Sequence, residues 1–163
     1  MRSVQWAVLL LSLLFSSFSL VAQEGERLRP FILAETSQVS LTDKLSSVTA
    51  ALEKAGFSIE GEYAPYAGAH ILVITSEGLR KQAAATQWGG YGAALRVSLT
   101  QRDGMVQVSY TNPQWMGNVY RMSGDFAAAG NQLQVALGND KAFGSEGGRT
   151  VENLREYHYM MFM

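Results

Sequence analysis

The sequence predicts an α+β domain, an antiparallel sheet with helices packed mainly on one face. Three observations carry that reading. Leu95, Val97 and Leu99 alternate with Arg96, Ser98 and Thr100, while Val106, Val108 and Tyr110 alternate with Gln107, Ser109 and Thr111. With Asp103-Gly104 between the two runs, this is a β-hairpin closed by a tight turn. Ser40-Leu41-Thr42-Asp43 is a capping box, a hydroxyl cap followed three residues later by an acid, and Leu41, Leu45, Val48 and Leu52 then share one helical face. Finally, strands and helices do not alternate strictly along the chain, as they would around a parallel sheet.

The remaining elements follow in order. Residues 23 to 30 are polar and charged and predict a flexible leader, so the domain is expected over residues 31 to 163. Phe31 to Glu35 makes a first strand, and the capped helix runs to Gly56, which supplies its left-handed end. Phe57, Ile59 and Gly61 alternate with Ser58, Glu60 and Glu62, a half-buried strand stopped by Pro65. His70 to Thr75 is an apolar, β-branched run suited to a central strand. Glu77 to Thr86 is a short alanine-rich helix, and Gly89, Gly90 and Gly92 mark a loop. After the hairpin, Asn112-Pro113 ends the strand and opens a helix, with Met116, Val119 and Tyr120 on one face. Ser123 is the expected cap of the next helix, whose stripe is Phe126, Ala129, Leu133 and Leu137. Phe143 to Gly148 reads as a glycine-rich turn, and Thr150 opens a terminal helix.

Residues 1 to 22 have the pattern of an export signal: Arg2, an apolar run from Trp6 to Phe15, and Leu20-Val21-Ala22 before a cleavage point. The run is interrupted by serines and falls short of the ~20 residues that a membrane span needs, so a retained anchor is the weaker expectation and no membrane insertion is expected after cleavage. The chain carries 13 Lys and Arg against 14 Asp and Glu, and cleavage removes only Arg2 from that balance. No basic cluster is present to neutralise phosphates or anionic lipid, which argues against nucleic-acid binding and adsorption to an anionic membrane. There is no cysteine, which excludes disulfides, thiol nucleophiles, iron-sulfur clusters and covalent haem attachment.

The chain closes on Tyr157-His158-Tyr159-Met160-Met161-Phe162-Met163, a cluster of soft donors. Imidazole with thioether suits Cu(I), or an axial pair for haem, and His70 is the only other histidine available as a further ligand. The competing account is packing, with methionine filling irregular gaps and His158 hydrogen-bonded at an edge. Trp88 and Tyr91 flank a glycine-rich loop that permits close approach of backbone to a ligand, and Trp115 and Tyr120 follow Asn112-Pro113; for the loop and for Trp115, rings tucked on the core are the favoured reading over ligand contacts. No nucleophile elbow, zinc motif or phosphate-binding loop occurs. Glu60 and Glu62 are explained by a solvated strand face, and Ser145 has no histidine that the sequence places beside it.

"LTDKLSSVTAALEKAGFSI", "DGMVQVSYTNPQWMGNVYRMSGDF" and "LREYHYMM" resemble exported members of the domain of unknown function 302 family. The resemblance spans most of the chain after residue 22 and is most distinctive at Tyr110-Thr111-Asn112-Pro113 and Tyr157-His158-Tyr159-Met160. It implies a small curved antiparallel sheet carrying helices, similar to half of the TATA-box-binding protein, and a bacterial periplasmic location. It implies no biochemical activity. Relatives of this subgroup continue past the last of these motifs with a short acidic and aromatic tail that this sequence lacks, so a site completed by that tail would be incomplete.

The expected function is therefore an exported domain that binds a small molecule or another exported protein without covalent catalysis. Trp88, Tyr91, Trp115 and Tyr120 are the expected ligand contacts, and no cofactor is expected. The alternative is copper or haem handling by His158 and Met160, with His70.

Overall fold

The computed structural model describes residues 26–124 and 126–156. The expected export signal and the donors His158 and Met160 lie outside the described residues.

Six strands form one antiparallel sheet: β1 (Phe31–Ser37), β2 (Ser58–Tyr63), β3 (Ala69–Thr75), β4 (Leu95–Arg102), β5 (Met105–Thr111) and β6 (Lys141–Phe143), in the spatial order β2-β3-β4-β5-β1-β6. Five helices accompany them: α1 (Leu41–Lys54), α2 (Glu77–Ala84), α3 (Pro113–Val119), α4 (Ala127–Leu137) and α5 (Val151–Arg155). The α+β class is thus as expected. β4 and β5 are joined at Asp103 (φ 51°) and Gly104 (φ 76°). Two successive positive φ values are those of the turn whose twist matches the strands on either side.

The alternation of the hairpin sorts its side chains between two faces. Leu95, Val97, Leu99, Val106, Val108 and Tyr110 point to one side and are buried with Leu72 and Ile74 of β3. Helices α1 and α4 cover this side: Val48 and Leu52 of α1 and Leu133 and Leu137 of α4 belong to the same core. Each fully buried leucine there contributes on the order of 2 kcal/mol through apolar surface withdrawn from water. Lys44 of α1 anchors to Glu35 of β1 at 2.8 Å.

Helix starts are set by side-chain caps. The Ser40 hydroxyl accepts from the Asp43 amide at 3.1 Å and donates to the Asp43 carboxylate at 2.6 Å. The hydroxyl itself therefore makes the reciprocal contact. Ser76, Asn112 and Thr150 cap α2, α3 and α5. α4 differs from expectation: Ser123 does not cap it, because the helix starts later, with Phe126 at the cap position, while the Ser123 amide donates to the Thr86 hydroxyl at 2.8 Å. The helix begins at Ala127 without a side-chain cap.

Three further corrections concern strands. β6 was not expected: it spans Lys141–Phe143 and takes only Phe143 from the expected turn, which holds after it; three residues are too short to show periodicity, and β6 exists by pairing with β1 through Phe31↔Phe143 and Ile32↔Ala142. The leader is also shorter than expected, since Leu28 is buried and exchanges backbone hydrogen bonds with Arg149 at 2.9 Å in both directions. In β2 the register shifts between Ile59 and Gly61. The extra residue of a bulge moves every later side chain to the opposite face. Tyr63 thereby lies opposite Ile71 on the helix-free side, and Glu62 opposite Leu72 on the helix side.

Candidate ligand-binding face

Among the described residues, the face of the sheet opposite α1 and α4 is not covered by a helix, and α3 reaches it only at the end of the sheet. Its cross-strand rows follow from the register. One runs Tyr63, Ile71, Ser98, Ser109, Leu33, Lys141 through all six strands. The adjacent row includes Val73 beside Arg96 and Thr111 beside Phe31, which in turn pairs with Phe143. The Phe31 and Phe143 rings meet at a centroid distance of 5.6 Å. A hollow of about 310 Å³ lies on this face, bounded by Phe31, Phe143, Tyr63, Ile71 and Arg96.

A second hollow, of about 220 Å³, continues from it at the end of the sheet, and Phe31, Arg96 and Thr111 line both. Its outer wall is Tyr91, Trp115, Val119 and Tyr120. Tyr91 arrives on the short 3-10 turn Gly89–Gly92 and Tyr120 at the end of α3. Gly92 permits this arrangement, since a Cβ there would collide with the Met122 side chain. Asn112 sets the start of α3: its side chain accepts from the Gln114 amide at 3.1 Å and donates to the Arg29 carbonyl at 2.9 Å, while its own amide donates to the Pro30 carbonyl at 2.9 Å. This is why an Asn-Pro pair follows the last long strand.

Three of the four expected aromatic contacts, Tyr91, Trp115 and Tyr120, therefore wall one hollow. Trp88 does not line it; this residue is 79% exposed and occupies the left-handed region at φ 63°. Sequence reasoning missed Phe31, Phe143, Tyr63 and Arg96. The strand alternation marked Arg96 as facing away from the core, but nothing local joined it to Tyr91 or Trp115.

Of the donors expected for metal, His70 alone lies among the described residues. His70 Nε2 lies 3.2 Å from the Glu62 carboxylate, and no group of three or more His, Asp or Glu among the described residues is placed to hold a metal ion. Glu60 faces Arg80 at 3.8 Å, so Glu60 and Glu62 have separate partners. No helix among the described residues is long and apolar enough to cross a membrane.

The described residues thus form an α+β protein of one six-stranded antiparallel sheet with α1 and α4 packed on one face. Among solved structures, the fold is similar to that of an uncharacterized conserved protein, DUF302, from Bacillus stearothermophilus, with a TM-score of 0.54, 13% identity, and coverage of 64% of this chain and 93% of that one. That likeness supports the family resemblance at the level of fold. No family model matches the sequence, and no curated protein does.

Proposed function

We propose that this chain is an exported ligand-binding domain of the domain of unknown function 302 type, acting without covalent catalysis. Its ligand is a small molecule seated on the helix-free face, between the sheet and the wall formed by Tyr91, Trp115 and Tyr120. The observation that supports this most directly is the continuity of the two hollows across Phe31, Arg96 and Thr111. Ligand sites are concave, mostly apolar, and carry a few polar groups, and the joined hollows have that make-up. In this reading the sheet curves as in the TATA-box-binding protein half, with its hollow side to the ligand.

Export is supported by the pattern of residues 1 to 22 and, less directly, by the absence of cysteine, which leaves no thiol to oxidise in the periplasm. Binding of a partner protein on the same face is the other occupant consistent with exposed rings, as aromatic side chains are enriched at interfaces.

Native mass spectrometry of the chain purified from an exporting bacterium, without chelators, tests this reading together with Trp115→Ala and Tyr120→Ala. The expected result is a mature mass beginning at Gln23, with an organic adduct that both substitutions weaken. A bare mass whose binding of small aromatic probes is unchanged by either substitution overturns the binding reading. A copper or haem adduct lost in His158→Ala assigns the site to the C-terminal donors instead.

A further inference from the structure

We infer that the ligand of this face is a small organic anion with a flat apolar body, its carboxylate, sulfonate or phosphate held by the guanidinium of Arg96. This inference rests on the proposed binding face and adds the charge and shape of what occupies it.

Arg96 sits near the start of β4 between Leu95 and Val97, both buried in the core, so its own side chain projects to the opposite face of the sheet. Along that face it lies beside Val73 of β3, and it lines both hollows. Among the described residues, the other arginines of the strands and of α2 have acidic neighbours: Arg102 has Asp103 at 3.5 Å and Arg80 has Glu60 at 3.8 Å. The Arg96 side chain has no hydrogen-bond or ion-pair partner among the described residues, and none of the described residues that line either hollow is Asp or Glu. The chain as a whole is close to neutral, so this is a local excess of positive charge and not a general one.

A guanidinium presents its donors as a planar fork that matches a carboxylate, sulfonate or phosphate in two parallel bonds. Aromatic and aliphatic side chains around it exclude water and strengthen such a pair. Thr111, which lines both hollows, and Ser109, which lines the larger, offer hydroxyls without a partner among the described residues, available as supplementary donors to the same head group. The rings set the shape of the rest of the ligand. Phe31 and Phe143 on one side and Tyr91, Trp115 and Tyr120 on the other present faces and edges that suit a planar body.

Two fluorescent probes with the same rings separate charge from shape: 1-anilinonaphthalene-8-sulfonate, and N-phenyl-1-naphthylamine, which lacks the sulfonate. The purified chain is expected to bind the sulfonate at one site, with affinity falling as salt is raised. Arg96→Gln is expected to weaken it roughly 10- to 100-fold, as loss of a charge-assisted hydrogen bond implies, and to leave the neutral probe within about twofold. Arg96→Lys keeps the charge but not the fork, so an intermediate loss is expected. Circular dichroism unchanged from wild type in either variant establishes that the fold is retained; Arg96 is exposed, and neither change opens a core cavity. Sulfonate binding that survives both substitutions but is lost in Tyr120→Ala overturns the anion assignment and leaves the binding face standing. Sulfonate binding insensitive to Arg96, Trp115 and Tyr120 alike overturns both.

Discussion

Tyr91 and Tyr120 stack with ring centroids 6.1 Å apart and planes inclined by 24°, although one comes from a 3-10 turn before the hairpin and the other from the end of the helix after it. The pair closes the outer wall of the smaller hollow, and both rings remain largely open to solvent, at 73% and 45% exposure. A stack so exposed contributes little to folding. The turn itself packs on α2, with Gly89 against Ala83, and the stack ties it in addition to the end of α3.

Tyr91→Ala and Tyr120→Ala are therefore expected to lower stability by about 1 kcal/mol or less each, with a coupling in the double-mutant cycle of about 0.5–1 kcal/mol. Amide hydrogen exchange over residues 89 to 92 should accelerate in Tyr120→Ala while the strands stay protected. An unchanged exchange rate would show that the stack does not hold the turn.

Asn112 is 8% exposed and ties β5, α3 and the segment before β1 together through three hydrogen bonds. Asn112→Ala removes the cap and leaves the Arg29 carbonyl without its donor, so a loss of about 2–3 kcal/mol is expected in urea denaturation. Asn112→Ser retains a side-chain oxygen able to cap the Gln114 amide without adding charge, and loses the amide donor to Arg29. Its loss should be clearly smaller, and equal losses in the two variants would refute the division of roles.

Gly117 lies inside α3, where a Cβ would press into the ring of Phe126. Alanine is the better helix former by about 1 kcal/mol, so an unobstructed site would be stabilised by Gly117→Ala. Here close packing reverses the sign, and a loss of about 1–3 kcal/mol is expected. Thermal melts of Gly117→Ala with and without Phe126→Leu test this: the second change should recover part of the loss. A melting temperature raised by Gly117→Ala alone would show that the ring moves aside freely.

The Tyr110 hydroxyl donates to the Gly138 carbonyl at 3.2 Å, and burial pushes its pKa up from 10.0 to about 12. Below pH 10 the phenol is protonated in both folded and unfolded chains, and its contribution is fully present. Between pH 10 and about 12 the unfolded chain releases the proton first, so stability falls by at most about 1.4 kcal/mol per pH unit. Tyr110→Phe should flatten this limb relative to wild type. Parallel stability curves for the two proteins above pH 10 would contradict the assignment.

Most of the fold was legible because its long elements repeat a period. The hairpin from Leu95 to Thr111 and the helix after Ser40 each bury one face, and alternation or helical spacing over many residues records that directly. Caps were legible where hydroxyl or amide, helix start and downstream acid coincide, as at Ser40. Ser123 failed as a cap because the helix begins at Ala127, three residues later than a Ser123 cap requires. β6 and the pairing of Leu28 with Arg149 were not legible at all, since their hydrogen bonds are satisfied by partners far along the chain.

The sequence by itself determined the α+β class, the order of the principal elements, the near-neutral charge and the absence of thiol chemistry. It also singled out the aromatic residues, because ring type and glycine context are local properties. Only the tertiary structure decided which of those rings meet. The bulge after Ile59 turned Tyr63 to the helix-free face, the contact of the 3-10 turn with α3 set Tyr91 against Tyr120, and the sheet register placed Arg96 between the two hollows. The physical reason is that strand register and helix docking are fixed by long-range pairing and by core packing, and neither leaves a period in the sequence where it acts.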